Sequence, residues 1–155
     1  MVIADRMTGK IDGEFALFLI GMRFNRPHRI DKWLPVVRAM PKMLRELYQD
    51  PDLGLLSHET WPGRTLLIIQ YWRSLDQLLD YAKNKDAEHL PAWRAFNRAI
   101  GTDGSVGIWH ETYRIRPGQS ETIYVNMPPF GLGKAGALSK VGRAQEAAAD
   151  RMADH

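Results

Sequence analysis

The chain contains no cysteine. That absence excludes disulfides, thiolate zinc sites, iron–sulfur clusters, thiolate-ligated haem and haem attached through C-x-x-C-H. Long apolar runs are also missing: none approaches the roughly 18–20 residues that span a bilayer, so no membrane partner is expected. The opening segment, MVIADRMTGKIDGE, carries acids and has neither an apolar h-region nor a small-residue cleavage signal, and cytoplasmic residence is expected. Nor is there a large excess of one charge. Lys and Arg total 21 against 18 Asp and Glu, a net charge of +3. The basic residues from Arg23 to Arg45 read as a solvated helix face, so nucleic acid is not an expected partner. What is present is 155 residues, 45% hydrophobic and 25% charged, enough for one globular domain with a real core.

The apolar pattern switches between strand and helix periods along the chain. EFALFLIGMRF, from Glu14 to Phe24, is bounded by Gly13 and an Asn25-Arg26-Pro27 turn signal and predicts a strand buried on both faces. From Asp31 to Tyr48, Trp33, Leu34, Val37, Met40, Leu44 and Leu47 recur at helical steps. Pro41 lies inside that pattern, so a bend is expected there. LGLLSHETW and RTLLIIQYW, joined by Pro62-Gly63, predict an antiparallel hairpin from Leu53 to Trp72. Ser74-Leu-Asp-Gln77 has the form of a capping box opening a second helix, which loosens near Asn84 to Asp86 and resumes from His89 to Ile100. Strands are predicted from Val106 to Arg116 and from Glu121 to Val125. Residues 1–130 therefore read as one domain, and 131–155 as a Gly/Ala-rich tail, helical or loose.

Strand, helix, hairpin, helix, strand is the ferredoxin-like βαββαβ order of an α+β fold, here with an extra C-terminal strand. Helices cover one face of such a sheet. Strands as apolar as FALFLIG and LLIIQYW leave the other face in need of cover, and a second copy of the chain supplies it most simply. The expected assembly is a homodimeric α/β barrel, with the strand near Thr122 to Asn126 positioned to reach the neighbour.

Two histidines stand out for their surroundings. His89 lies in KDAEHLPAWRAFN, where Trp93 and Phe96 follow at i+4 and i+7, so an imidazole and two rings share one helix face. His110 lies in the strand segment SVGIWHETYRI. A helix histidine and a strand histidine on opposite sides of a flat ligand suggest a pocket for haem b, with a hydrogen-bonded core histidine as the ordinary alternative for each. Strand alternation sends Trp109 and Glu111 to the face opposite His110. Trp72 is a candidate lining residue, and Arg73 and Arg114 are candidate clamps for propionates or an anionic substrate, against a surface role for both.

YAKNKDAEHLPAWRAFN, VGIWHETY and NMPPFGLGKA resemble segments of a monooxygenase-like family in the dimeric α/β-barrel superfamily, from about Phe15 to Lys134. EHLPAWRAF and WHETY also resemble segments in the C-terminal half of haem-containing aldoxime dehydratases. The second resemblance implies His89 as the axial iron ligand and His110 as a distal catalytic histidine, although that family's additional N-terminal repeat is absent. Together these resemblances imply a haem-dependent, monooxygenase-like oxidoreductase acting on a small molecule. Three other schemes remain open: dehydratase chemistry, cofactor-free oxygenation using Trp72, His58 and His110, and a non-enzymatic haem or ligand-binding dimer.

Overall fold

A computed structural model of the chain describes residues 1–83 and 103–153. Its elements in chain order are β1 (Ile3–Lys10), β2 (Phe15–Phe24), α1 (Ile30–Gln49), β3 (Leu55–Trp61), β4 (Thr65–Trp72), α2 (Leu75–Lys83), β5 (Val106–Ile115), β6 (Tyr124–Met127), α3 (Leu132–Ala135), β7 (Ala137–Lys140) and α4 (Ala148–Ala153). A four-stranded antiparallel sheet has the order β3-β4-β2-β5. The α+β, ferredoxin-like expectation is met in this sheet: the two most apolar strands, β2 and β4, are central. Among the described residues both sheets are open and close no barrel.

Helix α1 forms because its apolar residues recur on one side, where Met40, Leu44 and Leu47 face the sheet. The bend expected at Pro41 does not divide it; α1 continues as one element through Pro35 and Pro41. Each ring removes one backbone donor, and the packed apolar stripe holds the helix together across both gaps. The capping box at the start of α2 is present in part. Gln77 donates its backbone N–H to Ser74 Oγ at 3.1 Å, while its side-chain amide reaches the Asp52 carbonyl at 2.9 Å and ties α2 to the turn before β3.

Ala16, Leu47, Leu55, Trp72, Leu78 and Tyr81 form the core between sheet and helices. Trp72 is its largest fully buried side chain, 1% exposed, and its ring lies 5.7 Å from that of Tyr81. Burial of one such indole contributes several kcal/mol, roughly 3–5 by truncation.

A second, three-stranded sheet has the order β6-β1-β7. β6, in the segment expected to reach a neighbour, pairs with β1 of its own chain, Met7 opposite Tyr124. β7 pairs along the other edge of β1, with Thr8 opposite Ser139, in a region expected to be helical or loose. The threonines help bind the edges: Gly9 donates its backbone N–H to Thr122 Oγ1 at 2.6 Å, and Thr8 Oγ1 donates to the Thr122 carbonyl at 2.9 Å. Further on, Arg151 is buried, pairs with Glu121 at 2.8 Å and donates to the Gln145 and Glu146 carbonyls.

Candidate functional site

Strand alternation divides the four-stranded sheet into two surfaces. Phe18, Ile20 and Met22 of β2, Ile68, Gln70 and Trp72 of β4, and Ile108, His110 and Thr112 of β5 share the face beneath α1 and α2. Between this face and the helices lies a cavity of ≈ 370 Å³. That volume falls in the range of small-molecule sites, which combine apolar walls with a few placed polar groups. Met40, Met43 and Leu44 of α1 and Leu78 and Leu79 of α2 complete the apolar wall.

The polar groups are few and ordered. Gln70, 5% exposed, lies on the cavity floor, and its Oε1 accepts the Trp72 indole N–H at 2.9 Å. His110 projects from the edge strand β5, exposed, with its ring 5.8 Å from that of Phe18. Thr112 follows two residues along on the same face, opposite Phe18 in β2. Tyr81 lines the helix side and donates its hydroxyl to Glu46 Oε2 at 3.0 Å.

His58 stands beside this group without lining the cavity. It is cross-strand from Gln70, and its Nδ1 shares a 2.7 Å hydrogen bond with the Tyr48 hydroxyl at the end of α1. Burial holds its imidazole below the ordinary value of 6.5, the nearby Lys134 ammonium adds to that shift, and Glu59 opposes it.

The opposite surface is built differently. A strap from Phe130 to Ala135 lies against β3 and β4 at one end of the sheet. Gly131 donates its backbone N–H to Glu59 Oε1 at 3.3 Å, Gly133 donates to the Tyr124 hydroxyl at 3.1 Å, and Lys134 Nζ donates to the His58 carbonyl and to Glu59. Trp61 meets Phe130 edge to face at 5.7 Å. Gly131 has φ +54°, and a Cβ there would lie 3.2 Å from the Tyr71 hydroxyl. Burial pushes the Tyr71 phenol up to about 12, helped by Tyr124 and Glu59. NMPPFGLGKA thus folds as a strap between the two sheets.

The structure brings His110 and Trp72 to one cavity, while the two arginines lie elsewhere. Arg73 is exposed just past β4, and its backbone N–H bonds the Gly54 carbonyl. Arg114 is exposed at the far end of β5 and pairs with Glu14 at 3.3 Å. Neither lines the cavity. His89, Trp93 and Phe96 lie outside the described residues. Trp109 and Glu111 occupy the face opposite His110, as alternation requires, and a Cβ on Gly21 would collide with the Trp109 indole. Gln70 was not anticipated as a site residue. Its signal was a lone amide in LLIIQYW, on the alternating row of Leu66, Ile68 and Trp72.

A family model described as Monooxygenase af470-like matches residues 15–132. The chain belongs to this monooxygenase family. Monooxygenase af470 of Aspergillus fumigatus is 29% identical over 140 residues, covering 83% of this chain and 48% of that protein. The chain therefore spans about half the length of the curated relative it matches. Among solved structures, SnoaB, a cofactor-independent oxygenase from Streptomyces nogalater, is similar with a TM-score of 0.48 and 12% identity, covering 66% of this chain and 94% of that one. A conserved protein from Methanosarcina mazei Go1 gives 0.46 at 8% identity, covering 63% and 90%.

The expectation of haem b is corrected here. The family that spans the segment is the monooxygenase one, and the description of its model carries no haem. The described residues do not fit the group either: the arginines expected at the propionates are absent from the cavity, and Arg114 is taken by Glu14. Among the described residues, no group of three or more His, Asp or Glu is arranged to hold a metal ion. No described helix is long and apolar enough to cross a membrane.

Proposed function

We propose that the chain oxygenates an apolar, electron-rich aromatic molecule in the sheet–helix cavity, without a cofactor, and that His110 is the base. Membership of a monooxygenase family supports the reaction class. The observation that carries the site is the apolar cavity with His110 on its β5 wall and the Gln70–Trp72 pair on its floor. Imidazole is the side chain whose ordinary titration lies nearest neutrality, which suits proton transfer.

The reaction needs a methylene made acidic by a neighbouring aromatic ketone or phenol. His110 removes one methylene proton, and the resulting carbanion gives an electron to dioxygen. Radical recombination forms the C–O bond of a peroxide. Loss of the second proton and cleavage of the O–O bond leave a carbonyl and water. Overall CH2 + O2 becomes C=O + H2O, and the substrate supplies all four electrons. Apolar walls favour this course because they limit the access of bulk protons to the carbanion.

Oxygen uptake with anthrone, using chelator-treated protein, tests the proposal. His110→Ala is expected to lower kcat by about 10²–10⁴-fold while retaining ligand binding. Turnover unchanged in that variant overturns the role of His110. Binding without oxygen uptake in the unaltered protein overturns the enzymatic reading.

We also propose that the face opposite the cavity pairs with a second copy of the chain. On it, Leu17, Leu19 and Ile69 are only half-buried and Tyr113 is 46% exposed. Sedimentation should give a dimer, and a stable monomer at micromolar concentration contradicts the pairing.

A further inference from the structure

Gln70 carries an inference that rests on the cavity reading and extends it. Its side chain is buried, yet it forms part of the cavity floor. An amide offers a carbonyl oxygen and an NH2, and Trp72 fixes which end faces where. The indole N–H is a donor with no acceptor capacity, so the atom it bonds at 2.9 Å must be the amide oxygen. The amide nitrogen is then turned away from the indole. Among the described residues it takes no hydrogen bond, and it is not among the buried polar atoms that are sealed off without a partner. Two N–H donors therefore open onto a cavity whose other polar side chains, His110, Thr112 and Tyr81, sit on the β5 wall and on the helix side. Its cross-strand neighbours are Phe18, which has no polar side-chain atom, and His58, whose Nδ1 is taken up by the Tyr48 hydroxyl.

We infer that the Gln70 amide donates a hydrogen bond to an oxygen of the bound molecule, so the site selects ligands carrying a carbonyl or phenolate oxygen and anchors that oxygen at the cavity floor. Trp72 is the positioning residue, since its indole prevents the amide from flipping. A donor placed in a dry site discriminates strongly, because a ligand lacking the oxygen strips water from the amide without replacing its bond. As negative charge moves onto the ligand oxygen during proton removal, the same bond strengthens. The donor thus holds the oxygen in place and favours ionisation of the carbon acid.

The test compares anthrone with 9,10-dihydroanthracene, a tricycle of similar shape without the oxygen, by quenching of tryptophan fluorescence or calorimetry. The unaltered protein should bind the ketone about tenfold more tightly. Gln70→Met, near in length and without a donor, should bring that ratio to about one, with the hydrocarbon's affinity little changed. A purely structural role for Gln70 would weaken both ligands together. Equal affinities in the unaltered protein overturn the inference while leaving His110 chemistry standing, as does a ratio that survives in Gln70→Met. Failure to bind either tricycle overturns the inference and the cavity reading with it. Should Gln70→Met fail to fold, the ratio in the unaltered protein still decides.

Discussion

The two faces of the four-stranded sheet use polar side chains in opposite ways. On the strap face, Glu59, Tyr124 and Lys134 are each bonded to groups of the chain itself. On the cavity face, Gln70 is half-used: one end is satisfied by Trp72 and the other opens onto space. The strands are the same, and only the parity of the side chain differs. Polar groups that find partners inside the chain fix the fold. Groups whose partners are missing mark where another molecule belongs.

The sharpest way to break that contrast is at the indole joining core to cavity. Trp72→Ala is expected to destabilise by about 3–5 kcal/mol in denaturant titrations, through the void it leaves and the freed Gln70 amide. Glu59→Ala comes next: it orphans the Gly131 N–H, leaves the Lys134 ammonium with only the His58 carbonyl, and should lower stability by about 1–3 kcal/mol. If the faces act separately, kcat for anthrone stays unchanged in that variant, and a large drop would show that strap and cavity are coupled. Gly21→Ala should displace Trp109 and lower stability by about 1–3 kcal/mol, with a change in tryptophan fluorescence reporting the shift.

Acid should act on His58. Its folded-state value lies below its unfolded one, so the unfolded chain binds the proton more readily. Its contribution is present above about 6.5 and lost as pH falls below that value. A Tm that declines on acidification, with a shallower slope in His58→Phe, is the expected result. Arg114→Gln should have the smallest effect, under about 1 kcal/mol, since its pair with Glu14 is exposed. Loss of ligand affinity in that variant would place Arg114 at the site after all.

Periodicity made much of this architecture legible. The unbroken apolar stretch of β2, the Pro62-Gly63 hairpin and the helical steps of α1 each have one dominant solution, and all formed close to their expected bounds. β1 and β7 were invisible for the converse reason. IADRMTGK buries only Thr8 and Gly9 fully, so no alternation announces a strand, and ALSK is too short to show any period. The placement of His110 on the same face as Trp72 followed from parity once register was known. Gln70 escaped notice because an amide in a strand ordinarily faces water. The resemblance to haem lyases misled for a different reason: a short stretch of sequence carries local likeness, whereas the arginines that would have to meet a propionate are set by tertiary placement.

The pairing of β1 with both β6 and β7 has a consequence for biogenesis. Ile3 meets Met127, and Met7 meets Lys140. On a ribosome, β1 is made well before β6 and β7, and the four-stranded sheet can assemble in the interval. The small sheet locks only after the last of its three strands has cleared the exit tunnel, so a nascent chain stalled before Ala137 should leave the β7-side edge of β1 open to proteases.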